Sequence, residues 1–83
     1  MEDLKFDIQR WLNRLDGDDS YSHMLVICDT YNYDHYPKFV KKDEDVLNVI
    51  EDYQNKEMQR VMEVYNLSMD IPTQIYADRT WNV

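Results

Sequence analysis

The chain reads as a small α+β protein, and three observations carry that reading. The first fifteen residues hold an amphipathic stripe. Residues 21 to 28 form an apolar run that is hydrophobic on both faces. Residues 36 to 41 form a second, proline-containing stretch, joined to the first by a short polar loop. The predicted order is α-β-β-α-β-α around a three-stranded antiparallel sheet. At 83 residues the chain makes one domain, 1–83. With 43% hydrophobic and 13% aromatic residues it is too rich in core formers to be disordered.

Residues 2 to 15 are predicted helical. Leu4, Ile8, Trp11, Leu12 and Leu15 fall on one stripe. Glu2 and Asp3 suit the positive end of the helix dipole, and Arg10 and Arg14 suit its last turns. Asp16-Gly17-Asp18-Asp19 ends the helix, with Gly17 free to take a left-handed conformation. Phe6 lies off the centre of the stripe. The strand at 21–28 points His23, Leu25 and Ile27 one way and Met24, Val26 and Cys28 the other. A strand apolar on both faces belongs at the centre of a sheet. One helix covers one face, and a second helix or a partner subunit must cover the other. This demand and the thin core predict a homodimer.

Asp29 to His35 form the loop, with local Asx-turn chemistry. Pro37 cannot donate to a ladder, so residues 36–41 make an edge strand or begin at the proline. Lys38, Lys41 and Lys42 protect such an edge. Asp43-Glu44-Asp45 opens a second helix, whose stripe is Val46, Leu47, Ile50 and Tyr53. Residues 58–67 allow two readings. One is a continuous helix from 43 to 66. The other is a break near Asn55 and a third strand, with Val61, Tyr65 and Leu67 on one side and Met62 and Val64 on the other. The strand is preferred because two strands alone make a marginal sheet. Asp70-Ile71-Pro72 is a helix start, an Asp cap followed by proline in the first turn, and the last helix runs from Ile71 to about Arg79. Trp81 is expected to fold back on the body.

Seventeen acids against nine bases give a net charge of −8. That balance argues against direct binding of nucleic acid or an anionic membrane and favours a partner with a basic surface. The start of the chain lacks the apolar run of a signal peptide, and no stretch approaches a membrane span, which predicts a cytoplasmic protein. With one glycine in the chain, a glycine-rich phosphate cradle is ruled out.

Residues 20–40 gather four of the seven tyrosines, both histidines and the sole cysteine. Asp29, Asp34, His23 and His35 are the only grouping with metal-ligating chemistry, but no His-x₃-His or Cys-x₂-Cys spacing supports it. Cys28 sits within an apolar strand, five positions from His23 and on the opposite face, as a small hydrophobe would. No Ser-His-Asp arrangement is apparent. Neither catalysis, nor a metal, nor a cofactor is expected. The tyrosines point elsewhere. Tyr31, Tyr33 and Tyr36, among Asp29, Asp34 and His35, offer rigid amphipathic contact area for a protein partner. Asp18, Asp19, Asp43, Glu44 and Asp45 make a candidate acidic surface, either a mimic of nucleic-acid phosphates or an aid to solubility.

Three segments carry a resemblance: His23-Met24-Leu25-Val26-Ile27-Cys28-Asp29-Thr30, Tyr36-Pro37, and Met58-Gln59-Arg60-Val61-Met62-Glu63-Val64-Tyr65-Asn66-Leu67-Ser68-Met69-Asp70. They resemble a family of small, acidic, largely uncharacterised bacteriophage proteins over roughly residues 20–82. The chain departs from that family in having His35 in the loop and no histidine in Ala77-Asp78-Arg79-Thr80-Trp81. The resemblance implies a phage accessory protein acting in the host cytoplasm, by analogy an inhibitor of a host defence complex of the anti-CRISPR kind. Two alternatives stand beside it. One is an oligomer that sequesters a nucleotide or other small signalling molecule, stacked by tyrosines with Arg60 and Arg79. The other is a phage structural or assembly protein.

Overall fold

The computed structural model describes residues 4–15, 17–77 and 79–83. Glu2, Asp3 and Asp16, assigned above to the ends of the first helix, and Asp78, within the predicted last helix, lie outside the described residues. The elements are α1 (Leu4–Asn13), β1 (Tyr21–Asp29), β2 (Asp34–Lys41), α2 (Val46–Gln54), β3 (Gln59–Asn66) and α3 (Ile71–Tyr76). The three strands form one antiparallel sheet in the order β2-β1-β3. This is the predicted α+β order, and the continuous helix over 43–66 does not form.

The doubly apolar β1 is the central strand, as its composition requires. Leu25 and Ile27 join Val40, Val49, Ile50, Val61 and Val64 in a core beneath α2. Met24 and Val26 join Ile8, Trp11, Leu12 and Tyr65 in a second core beneath α1, with Ile71 and Ile75 of α3 packed against it. The sheet is thus a middle layer with helices on both faces. The second face, for which a partner subunit was one possible cover, is covered by two helices of the same chain.

Two bulges set the side-chain order. One falls between Tyr21 and His23 in the pairing with β2. The other places an extra residue, Met62, between the pairs Val26↔Glu63 and Ile27↔Val61. Simple alternation put Tyr65 with Val61 and Met62 with Val64. The bulge reverses this: Val61 and Val64 share the α2 face, and Met62, Tyr65 and Leu67 share the α1 face. One inserted residue flips everything beyond it, because the side-chain period of a strand is two.

The element ends follow local chemistry. Asp45 caps α2, its side chain accepting from Leu47 N at 3.0 Å. The helix therefore starts at Val46 rather than Asp43. α1 stops at Asn13, and Gly17 takes φ 81° in the turn beyond. Asp70 caps α3, which has proline in its first turn and ends at Tyr76, short of Arg79. β2 pairs on one side only, so Pro37 costs no ladder bond it was placed to make.

The outer edge of β3 is partly closed. Val64 N donates to Thr80 O at 2.9 Å, and Asn82 N donates to Val64 O at 3.0 Å, so Trp81 bridges in parallel to Val64. Two residues further along, at Asn66, Gln74 does what a strand would do. Its amide accepts from Asn66 N at 2.8 Å and donates to Asn66 O at 2.9 Å.

Candidate functional site

The hairpin that joins β1 to β2 is held by side chains acting on backbone. Asp29 Oδ1 accepts from Tyr31 N at 2.9 Å, Asn32 Oδ1 accepts from Asp34 N at 3.0 Å, and Tyr33 N donates to Asp29 O at 2.6 Å. Short polar side chains that bond their own backbone make such turns without glycine. The α2–β3 connection reaches the same end of the sheet, where Thr30 N donates to Met58 O at 2.9 Å. Three large side chains therefore stand exposed at one end of the molecule: Tyr31 at 77%, Tyr33 at 74% and Met58 at 49% of full exposure.

Tyr33 (φ 60°) and Met58 (φ 63°) hold left-handed backbone conformations. A bulky L-residue costs about 1–2 kcal/mol in that region, which glycine or asparagine would largely avoid. Cβ-bearing residues with φ above zero are uncommon, and such strain concentrates at functional sites. Both of these non-glycine residues among the described ones lie at this end.

The predicted partner-binding residues divide. Tyr31, Tyr33 and Asp34 are exposed, and Asp29 is committed to the turn. Tyr36 is half-buried against the α2-side core and donates its hydroxyl to Gln59 Oε1. Burial pushes its phenol above the ordinary tyrosine value, with Tyr53 and Asp29 adding to the effect. It serves the hairpin's framework and does not stand out as an anchor. Met58 was read from the sequence only as a stripe or strand residue. The signal that could have found it is the absence of glycine from the Asn55–Met58 turn.

His35, half-buried, pairs with Cys28, and Cys28 pairs with Arg60 on its other side. The sequence places Cys28 and His23 on opposite faces of β1, and the register adds His35 and Arg60 as the cross-strand neighbours of Cys28. Cys28 is buried. His23 faces the other way, its Nδ1 2.7 Å from Ser22 Oγ and its Nε2 buried without a partner. Among the described residues no three His, Cys, Asp or Glu side chains are placed to hold a metal ion.

The acidic residues gather at the far end of the sheet. Lys42 N donates to Ser20 O at 3.1 Å, tying the chain before β1 to the chain after β2. Asp18 and Asp19 thus lie at the same end as Asp43, Glu44 and Asp45, all exposed. Several are engaged locally. Asp18 accepts from Ser20 N, Glu44 from Lys41 N and Asp45 from Leu47 N. The nine residues of β1 separate this end from the tyrosines by about 25 Å at about 3.3 Å per residue. The tyrosine and acidic sets are two surfaces, not one. Arg60 and Arg79 are both exposed, Arg60 on β3 and Arg79 beyond α3.

No protein-family model, no curated protein and no solved structure matches this chain. Among the described residues no helix is long and apolar enough to cross a membrane.

Proposed function

We propose that this chain is a non-enzymatic binding protein whose sheet end, presenting Tyr31, Tyr33 and Met58, inserts into a recess on a partner protein. The observation that carries this is the pairing of exposure with strain. Two large apolar side chains are held out to solvent on backbone conformations that disfavour them. A turn selected for stability alone would use glycine or asparagine there. Tyrosine and methionine suit the role, the first rigid and amphipathic, the second adaptable. The net charge of −8, with Asp34 and Glu57 exposed near the tip, favours a partner whose rim is basic. The resemblance to small acidic phage proteins supports a host protein as that partner, a nucleic-acid-handling defence complex among them.

Glycine substitution tests the reading, because it separates binding from folding. Tyr33→Gly and Met58→Gly are expected to leave stability unchanged or raise it by up to about 1 kcal/mol. A basic host protein retained by the immobilised wild-type chain is expected to be lost by the double variant. It is expected to be kept by Asp18→Asn/Asp19→Asn, at the far end. Retention by the tip variant, or equal loss by both, overturns the proposal.

A further inference from the structure

A second recess lies away from the tyrosine tip, where the end of α1 meets the start of α3. It encloses about 480 Å³. Its lining includes Leu12, Leu15, Leu67, Ile71, Pro72 and Asp18. Leu15, Leu67 and Ile71 are half-buried, and Leu67 and Ile71 pack on the rim of the α1-side core. An 83-residue chain has little apolar side chain to spare from its core, yet these residues line an open concavity. The volume falls within the range of small-molecule sites, and the lining mixes the apolar side chains with Gln9, Asn13 and Asp18.

The polar groups indicate which molecule fits. Asp18 is the one charged residue among the described lining residues. Its carboxylate accepts from Ser20 N at 3.0 Å, which fixes it in place and favours its ionised form. The remaining polar lining residues, Gln9 and Asn13, bond to each other at 3.2 Å. No lysine or arginine lines the recess among the described residues. An apolar body with an anionic head would meet Asp18 unfavourably, and an uncharged one would leave the carboxylate unused.

We propose that the α1–α3 recess binds a small organic cation, an aromatic or branched apolar body carrying an ammonium head. The body lies on Leu15, Leu67 and Ile71, and the ammonium pairs with Asp18. The site is separate from the tip surface and does not depend on it.

The test uses two probes with the same phenylethyl body and opposite charge, 2-phenylethylammonium and 3-phenylpropionate, titrated into the full chain. Methyl NMR is expected to show saturable shifts at Leu15, Leu67 and Ile71 with the first probe and none with the second. Asp18→Asn is expected to weaken the ammonium probe about fivefold, the size of an exposed ion pair. Asp43→Asn, which removes the same charge elsewhere, is expected to leave it unchanged. Circular dichroism confirms that both variants fold. Three results each overturn the proposal: no saturable shift at millimolar probe, equal binding of both probes, or an equal effect of the two variants. The last would mark general attraction of cations to an acidic chain.

Discussion

Gln74 and His23 show what single side chains do in so small a core. Gln74 is 3% exposed, and its amide replaces the neighbouring strand that Asn66 lacks. It also accepts from Asn82 Nδ2 at 3.0 Å, and its backbone carbonyl accepts from the Thr80 hydroxyl. Gln74→Leu keeps the bulk and leaves the Asn66 N–H without a partner, while Asn66 O keeps the Met69 N–H at 3.1 Å. The expected loss is about 1–3 kcal/mol by urea denaturation, the cost of one unsatisfied buried group. His23 is different, because its cost appears only when it is charged. Burial holds its imidazole below the ordinary histidine value. The unfolded chain therefore takes up the proton first. Stability from the neutral form is complete above the unfolded value of about 6.5 and declines as pH falls toward the folded one. Denaturation midpoints are expected to drop between pH 7.5 and 5.5 in the wild type, and to drop less in His23→Gln. Below that window Asp70 takes over. Its carboxyl is held low by the Thr73 hydroxyl and N–H, so its contribution is lost as pH falls from about 3.9 through its folded value.

Helices α2 and α3 each depend on one cap and one packed face. α3 has only six residues and would not form alone. Asp70 accepts from Thr73 N at 3.1 Å, and Ile71 and Ile75 pack on the α1-side core. Asp70→Ala is expected to cost about 1 kcal/mol and to raise amide exchange across residues 71–76 while β1 stays protected. A loss of protection throughout the sheet would instead make α3 part of the global unfolding unit. β3 depends on its bulge. Because Met62 is an extra residue, Glu63 and Tyr65 turn together toward α1, where the Tyr65 hydroxyl donates to Glu63 Oε1 at 2.8 Å. Burial raises the Tyr65 phenol well above its ordinary value, with the Glu63 contact adding to it. Lys5 Nζ reaches the same carboxylate at 3.3 Å, tying α1 to the sheet. The alternation read from the sequence held the right residues and misassigned their faces, since a bulge leaves no mark on hydropathy alone.

Taken as one body, the molecule is a sheet with a core on each face, sharing β1. Val26 and Ile27 are both fully buried but belong to opposite cores. Ile27→Ala is expected to cost about 2–5 kcal/mol, a large share of the stability of an 83-residue domain. The sequence reading sought cover for the second face from another helix or a partner subunit, and α1 and α3 supply it. Sedimentation at micromolar concentration is therefore expected to give the monomer mass. A concentration-dependent dimer would place its contact outside these two faces.

Much of the architecture was present in the order of residues. The two-sided apolar run made β1 central, Pro37 put β2 at an edge, and Asp70-Ile71-Pro72 marked the last helix, because periodicity, proline and capping act over a few neighbouring residues. The tyrosines were legible as a cluster, of which Tyr31 and Tyr33 stand exposed. Other features depended on contacts between residues distant in the chain. Tertiary packing sent Tyr36 inward and brought Met58 to the tip through Thr30 N–H. It also set His35 and Arg60 beside Cys28, and it carried the acids to the far end of the sheet. Strand register decides these matters, and one bulged residue is enough to reverse a face. Local chemistry wrote the elements into the chain, while the pairing of strands far apart in sequence decided which side chains meet and which stand exposed.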